Sequence, residues 1–123
     1  MAGLRYYGPL ETPACQGGAM LFMKKQYFDA IRSGRKTTTL RYWRGRLVRP
    51  DSIHSVRGLG RVHVQDVREV RLEQLTDADA QADGFDTLAE LKRTLDEYYP
   101  PEKRQGRTLY QVRFSFVQEA SAT

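Results

Sequence analysis

The segment from Gly34 to Arg41 constrains the fold of this chain more than any other part of the sequence. It reads Gly-Arg-Lys-Thr-Thr-Thr-Leu-Arg and follows Gln26–Ser33, whose apolar residues recur at helical spacing. A glycine at this point ends a helix, because it adopts the left-handed backbone that other residues avoid. The β-branched threonines that follow favour extended structure. The sequence therefore predicts a helix, a tight turn and a strand in immediate succession.

The same segment is the first candidate for a binding site. In an extended strand Thr37, Thr39 and Arg41 share one face, because side chains alternate between the two faces. Arg35 and Lys36 then lie at the mouth of the turn. Hydroxyls, a guanidinium and an ammonium on one surface suit a ligand that is anionic or carries carbonyl groups.

The remaining pattern predicts a mixed α+β domain. We expect strands at Leu21–Met23, Thr37–Tyr42, Ser52–Val56 and Leu109–Val117, and a bulged strand or two short ones over Arg61–Leu72. We expect helices at Asp77–Asp83 and from Leu88 to Tyr98, the second with a Thr87–Glu90 capping box, and a polar loop from Pro100 to Arg107. Together these elements predict a curved, mostly antiparallel sheet with helices packed at its end.

Length and composition favour one domain that works without a metal. The 123 residues suit a single domain, which we place at residues 20–118, after a Gly- and Pro-rich extension at 1–19 and before a tail at 119–123. Cys15 is the only cysteine, and His54 and His63 lack metal-ligand spacing. No apolar run approaches the ~20 residues that span a bilayer, and no secretory signal is evident. We therefore expect a cytoplasmic protein with no cofactor, no metal and no membrane partner; the oligomeric state stays open.

The charge distribution indicates a polyanionic partner. The net charge is +5, yet eleven Lys/Arg face three acidic residues between Arg32 and Arg71, whereas nine Asp/Glu face two basic residues between Glu73 and Glu102. A basic half attracts nucleic acid or a nucleotide-like ligand. The alternative is an arginine-rich surface that serves solubility alone.

Aromatic and basic side chains interleave directly after the first motif. Arg41, Tyr42, Trp43 and Arg44 are followed by Gly45 and Arg46. This combination stacks on bases and contacts phosphates in single-stranded nucleic acid. The alternative is that Tyr42 and Trp43 belong to the hydrophobic core.

The chain resembles the ASCH family, whose core pattern is Gly-x-Lys-x-x-x-x-Arg. Gly34, Lys36 and Arg41 occupy its fixed positions, and the similarity extends over roughly residues 21–117, through Leu75–Phe85 and Tyr98-Tyr99-Pro100. The resemblance implies a β-barrel of the PUA-like superfamily (the fold of pseudouridine-synthase and archaeosine-transglycosylase domains). It also implies a nucleoside or RNA ligand.

Some small bacterial ASCH proteins are amidohydrolases that remove the acetyl group from acetylcytidine. The resemblance assigns Lys36 and Thr39 to their catalytic lysine and threonine, and Asp83 to the position of their glutamate. Aspartate is shorter by about one bond length, ~1.5 Å. The remaining candidates are ligand-binding: Gly34, Arg35, Thr37, Arg41, Tyr42, Trp43 and Arg44.

Other roles remain open for these residues. Lys36 could contact solvent or phosphate, Thr39 could bond a neighbouring strand, and Asp83 could cap a helix. The alternative functions are a non-catalytic RNA-binding module and, ranked last, a metal-assisted ribonuclease.

Overall fold

The structure, a computed structural model, describes residues 21–117. The predicted extension at 1–19 and tail at 119–123 lie outside the described residues. The strands are β1 (Thr38–Trp43), β2 (Ile53–Val56), β3 (Gly60–Glu69) and β4 (Thr108–Phe116). The helices are α1 (Phe28–Arg32), α2 (Asp77–Ala82), α3 (Leu88–Tyr98) and α4 (Pro101–Arg104), with 3-10 turns at Lys25–Tyr27 and Leu72–Gln74.

The described strands form one antiparallel sheet of four, in the order β1-β4-β3-β2. β1 and β2 are its edges, so within residues 21–117 the sheet stays open and is not closed into the barrel that the sequence led us to expect. The mixed α+β class and the antiparallel pairing are confirmed. On its outer side β1 therefore has no neighbouring strand among residues 21–117, and we call this side the free edge of β1.

The predicted irregularity in the long strand is confirmed as a register shift. Val64 pairs with Phe114 and Asp66 with Arg113, so one extra residue lies between them. This shift lets Val62, Val64 and Val67 all face the core despite the break in their spacing.

The sheet separates two hydrophobic cores because side chains alternate along its strands. One core joins α1 and the segment before it to one sheet face, and the other joins α2 and α3 to the opposite face. The first contains Leu21, Met23, Phe28, Ile31, Trp43, Val48, Val56, Leu59, Val62, Val64, Val67, Tyr110, Val112 and Phe114. The second contains Leu40, Tyr42, Leu75, Ala80, Leu91, Leu95 and Leu109. β1 thus contributes to both cores from an edge position.

Three local predictions are wrong. Leu21–Met23 forms no strand: Leu21 and Met23 are buried and Phe22 is exposed, but the segment has no strand partner in the described region. Part of the expected polar loop is α4, since Pro101 fixes a helical backbone at its first position. The Thr87–Glu90 capping box is only half formed. The Thr87 hydroxyl accepts from the N–H of Glu90 at 3.2 Å, but the Glu90 carboxylate accepts from the N–H of Asp86 instead of that of Thr87.

The reciprocal capping box lies one helix earlier. The Thr76 hydroxyl accepts from the N–H of Asp79, and the Asp79 carboxylate accepts from the N–H of Thr76 at 2.9 Å. This box fixes the start of α2, whose last turn leads directly to Asp83.

No helix among residues 21–117 is both long enough and apolar enough to cross a membrane.

Candidate functional site

A pocket of about 140 Å³ lies beside the free edge of β1. The segment Phe22–Tyr27 closes one side and α3 closes the other. A cavity of this size accommodates one six-membered ring, as an engineered cavity of ~150 Å³ accommodates benzene. Its lining consists of Phe22, Met23, Lys24, Tyr27, Lys36, Thr39, Leu40, Arg41, Asp83, Phe85, Leu91, Thr94, Leu95, Tyr98 and Tyr99.

Lys36 is buried at the inner end of this pocket, with 4% of its surface exposed. Gly34 ends the preceding helix with φ +83°, and the N–H of Lys36 then donates to the Ala30 carbonyl at 2.9 Å. The Lys36 Nζ donates to the carbonyls of Thr38 and Asp83, each at 2.9 Å, and to Asp83 Oδ1 in a short contact. An ammonium has three protons, so all three donors have acceptors.

Asp83 is the other half of a buried ion pair. It caps the C-terminus of α2 and is 4% exposed. Gly84 follows with φ +97°, a conformation that L side chains rarely adopt, and packs against the Lys36 side chain. The second carboxylate oxygen, Oδ2, is buried without a hydrogen-bond partner among the described residues. A buried acceptor without a partner is uncommon and marks a place for a proton, a water or a ligand group.

Burial shifts both members of this pair toward their neutral forms. Desolvation lowers the pKa of Lys36 below its ordinary 10.5, although the charge of Asp83 opposes the shift. Desolvation likewise raises the pKa of Asp83 above 3.8, against the charge of Lys36. The two pKa values therefore approach each other, which favours a proton that moves between the two groups.

Thr39 and Arg41 form the outer half of the site. The two side chains share a face of β1, as predicted, and Arg41 Nε donates to Thr39 Oγ1 at 3.0 Å. Arg41 Nη2 donates to the Phe22 carbonyl at 2.5 Å and lies 3.5 Å from Met23 Sδ. A guanidinium that donates to a hydroxyl oxygen stabilises negative charge on that oxygen and leaves the hydroxyl proton free to depart.

Lys36 and Thr39 line one pocket without a direct hydrogen bond. The three donors of Nζ point to Thr38 and Asp83, and the hydrogen bond to Thr39 Oγ1 comes from Arg41. Asp83 nevertheless reaches Lys36 although it is shorter than glutamate, because its main-chain carbonyl and its carboxylate both accept from Nζ.

An aromatic wall covers the ion pair. The hydroxyls of Tyr27 and Tyr98 lie 3.1 Å apart, and Lys36 Nζ lies 5.2 Å from the centre of the Tyr27 ring. Phe85 meets the Tyr27 ring edge-on at 6.3 Å, and burial raises the pKa of Tyr27. Tyr27 belongs to the apolar pattern of Gln26–Ser33, which predicts a helix face; in the sequence, only its proximity to the Gly34–Arg41 motif connects it with the pocket.

The other predicted ligand-binding residues lie outside the pocket lining. Tyr42 and Trp43 are buried in the two cores, where Tyr42 contacts the ring of Tyr99 and Trp43 that of Tyr110. Their rings are therefore not available to stack on bases in this structure. Arg44 is exposed beyond the strand. Gly34 and Arg35 are exposed at the turn and Thr37 is half-buried, with the Arg35 guanidinium donating to the Gly84 carbonyl at 3.3 Å.

Within residues 21–117, no three or more His, Cys, Asp or Glu side chains are grouped to hold a metal ion. His63 instead lies 3.3 Å from the Asp51 carboxylate, on the surface.

Several solved structures share this fold. The hypothetical protein PH0355 superposes with a TM-score of 0.67 at 17% identity, over 78% of this chain and 95% of its own. An ASCH domain from Lactobacillus crispatus JV V101 superposes with a TM-score of 0.60 at 17% identity, over 72% of this chain and 68% of its own. Protein EF3133 from Enterococcus faecalis V583 superposes with a TM-score of 0.59 at 20% identity, over 85% of this chain and 76% of its own. These similarities show that the α+β fold of this chain is shared with a solved ASCH domain and with other solved structures.

Sequence comparison gives the family directly. None of the curated proteins matches the chain significantly. The ASCH domain profile matches residues 21–116, which include the turn motif, the ion pair, the pocket and all four strands. The chain belongs to the ASCH domain family.

Proposed function

We propose that the pocket binds the base of a nucleoside, free or within RNA, and hydrolyses an acyl amide on that base. Acetylated cytidine is the expected substrate. The observation that carries the proposal is the buried Lys36–Asp83 pair, whose pKa values are shifted toward each other inside a pocket that also contains the Thr39 hydroxyl. Shifted acid–base pairs in a cleft are typical of catalytic sites.

Thr39 is the proposed nucleophile and Lys36 its base. Asp83 first takes a proton from Lys36, and the free amine then takes the Thr39 proton. Thr39 Oγ1 attacks the acyl carbon, forming a C–O bond and an oxyanion, while Arg41 stabilises the charge that develops. The amide C–N bond breaks as its nitrogen takes a proton back from Lys36, which releases the free base and leaves an acyl-threonine.

Water completes the reaction. Lys36 takes a proton from water, the hydroxide attacks the acyl carbon, and Thr39 Oγ1 leaves and recovers a proton, so that acetate is released. Since no hydrogen bond joins Nζ to Oγ1 before substrate binds, the first transfer requires a rotation of Lys36 or one bridging water. Catalytic hydrogen bonds often become short only in the substrate complex.

A second candidate is an RNA-binding module without turnover. It is favoured by the saturated hydrogen bonding of Lys36, since the same contacts describe a structural ion pair, and by the exposed arginines that follow β1. The two functions share the pocket and differ in whether Thr39 reacts.

The experiment is incubation of the full chain with acetylcytidine, with cytidine release followed by chromatography, beside Lys36→Ala and Thr39→Ala. We expect turnover by the natural protein and loss of turnover in both variants. Because burial lowers the pKa of Lys36, activity should rise with pH through a value below 10.5, as the base loses its proton. Folded protein without turnover would contradict the hydrolase and favour the binding module.

A further inference from the structure

The free edge of β1 presents main-chain groups at every second residue. The Phe114 N–H donates to the Thr37 carbonyl at 2.9 Å, and the regular register pairs Thr39 with Val112 and Arg41 with Tyr110. In an antiparallel pair, residues of one parity direct their N–H and C=O groups to the partner strand, and the others direct them away. The intervening residues Thr38, Leu40 and Tyr42 therefore face the open edge.

Side chains cover this edge on both sides of Leu40. The Thr38 carbonyl accepts from Lys36 Nζ at 2.9 Å, and the Tyr42 carbonyl lies 3.5 Å from Arg107 Nη1. Leu40 lies between them, lines the pocket and is 6% exposed. Its N–H and C=O face away from β4 and make no hydrogen bond with another described residue.

Buried main-chain polar groups almost always have a partner, because leaving them unsatisfied is costly. A group of this kind is satisfied by ordered water or by a ligand group. The N–H and C=O of one extended residue are adjacent and parallel, so they match a ligand edge that has an acceptor beside a donor. A ligand bound in this way takes the place of a fifth strand at the edge.

We infer that the main chain of Leu40 reads the ligand, with its N–H donating to a ring nitrogen and its C=O accepting from the neighbouring exocyclic N–H. The ligand class is a pyrimidine of the cytosine type, with or without an acyl group on that exocyclic nitrogen, since acylation leaves one N–H in place. The inference rests on the proposed function only in treating the pocket as a base site. It adds the residue that selects the base.

Ligand variants test the two hydrogen bonds separately. Isothermal titration calorimetry compares cytidine with 3-deazacytidine, in which C–H replaces the acceptor nitrogen, and with pyrimidin-2-one riboside, which lacks the exocyclic amine. Each analogue should bind about three- to tenfold more weakly, the usual net value of one hydrogen bond. Equal binding of all three would overturn the inference, and so would failure of cytidine to bind.

A main-chain variant assigns the effect to Leu40. The α-hydroxy analogue of leucine at position 40 replaces the N–H by oxygen and keeps the side chain. The protein with this substitution should bind cytidine and 3-deazacytidine equally. The matched control is the α-hydroxy analogue of tyrosine at position 42, whose N–H faces the same edge outside the pocket lining, and it should retain the preference for cytidine. Loss of that preference in both variants would indicate a general disturbance of β1 and contradict the assignment.

These readouts are independent of catalysis. If acetylcytidine is not hydrolysed but cytidine still binds better than its analogues, the proposed hydrolase fails and the Leu40 inference stands. Five-residue oligouridine with and without one central cytidine distinguishes RNA from free nucleoside as the source of the base. Uracil interchanges donor and acceptor, so the oligonucleotide with cytidine should bind better if RNA enters the pocket.

Discussion

Basic residues flank both ends of β1, but the two ends differ in what they bury. At its start, Lys36 and Thr39 are buried polar residues around a pocket, and Lys36 pairs with Asp83. At its end, Tyr42 and Trp43 are buried aromatic residues in the cores, and the arginine that follows is exposed. Both ends combine basic residues with groups that suit nucleic acid. Only at the start is the basic residue itself buried.

This difference between the two ends of β1 shows which end buries charged groups. Removing an ammonium and a carboxylate from water costs several kcal/mol per ion, and a hydrophobic pair of similar volume is often at least as stable. Exposed arginines carry almost no such cost and gain little from pairing. The buried end therefore has the stronger indication of chemistry, and the exposed end provides attraction for a polyanion.

The largest effect should come from removing one partner of the buried pair. We expect Lys36→Met to lower the free energy of unfolding by about 3–5 kcal/mol, because Asp83 remains buried without its cation. The control Arg44→Met, at the exposed end, should change it by less than about 0.5 kcal/mol. Urea denaturation followed by circular dichroism measures both.

The same variant has a predictable pH dependence. Burial raises the folded-state pKa of Asp83 above 3.8, so its carboxyl is neutral below that folded-state pKa and charged above it. Replacing Lys36 removes the charge that lowers this pKa, so the pKa of Asp83 in Lys36→Met is higher still. The loss in Lys36→Met should therefore shrink as the pH falls through the pKa of Asp83 in that folded variant. Adding Asp83→Asn should restore part of the stability at neutral pH. A loss that neither acid nor the second substitution reduces would contradict the account of a desolvated charge.

The next effect concerns the guanidinium beside Thr39. Arg41→Lys removes the fork that contacts Thr39 and Phe22 together, and a hydrogen bond involving a charge contributes about 1.5–3 kcal/mol. We expect kcat/KM for acetylcytidine to fall by about 10- to 100-fold. Arg44→Lys is the control and should leave kcat/KM unchanged; equal losses in the two variants would remove the distinction between the ends.

A smaller effect should distinguish the pocket tyrosines Tyr27 and Tyr98 from Tyr42, which lies in a hydrophobic core. The Tyr27–Tyr98 hydroxyl pair, tested by a double-mutant cycle with Phe at each position, should show a coupling energy of about 1 kcal/mol in thermal or urea unfolding. Tyr42→Phe should change stability by less than about 0.5 kcal/mol, since its contacts are made by the ring. A coupling energy near zero would show that Tyr27 and Tyr98 contribute only by the packing of their rings and not by a hydrogen bond between their hydroxyls.

The smallest effect belongs to the exposed arginines. If Arg44 and Arg46 contact RNA phosphates, replacing both with alanine should lower the slope of log affinity against log salt by roughly 0.7 per lost contact. Fluorescence anisotropy with a labelled single-stranded RNA measures that slope. Hydrolysis of free acetylcytidine should stay unchanged; a parallel loss there would place these arginines in the reaction.

Much of the fold could be predicted because its signals are local. Alternation of Tyr110, Val112 and Phe114 predicts β4, and the phase slip between Val64 and Val67 predicts the register shift. The predicted Leu21–Met23 strand was wrong although burial does alternate along this segment, because an extended segment becomes a strand only with a partner. Whether the sheet closes depends likewise on long-range pairing.

The site could be predicted only in part for the same reason. Sequence reasoning named Lys36, Thr39 and Asp83 as one group, and the structure brings their side chains to one pocket. The hydrogen-bond pattern inside that group depends on the tertiary contacts of Arg41 with Phe22 and of Lys36 with Asp83. Tyr42 and Trp43 carried the same aromatic-basic pattern but point to opposite cores, which alternation along β1 determines and composition does not.

Two neighbouring threonines distinguish a nucleophile at Thr39 from a threonine that only supports the strand. Thr38 and Thr39 are each 6% exposed, but the Thr38 hydroxyl has no partner among the described residues whereas Thr39 Oγ1 accepts from Arg41. Cytidine release from acetylcytidine is measured for the natural protein, Thr38→Val and Thr39→Val. We expect unchanged turnover in Thr38→Val and a loss of roughly 10³-fold or more in Thr39→Val. Equal activity of the two variants would contradict a nucleophile at Thr39.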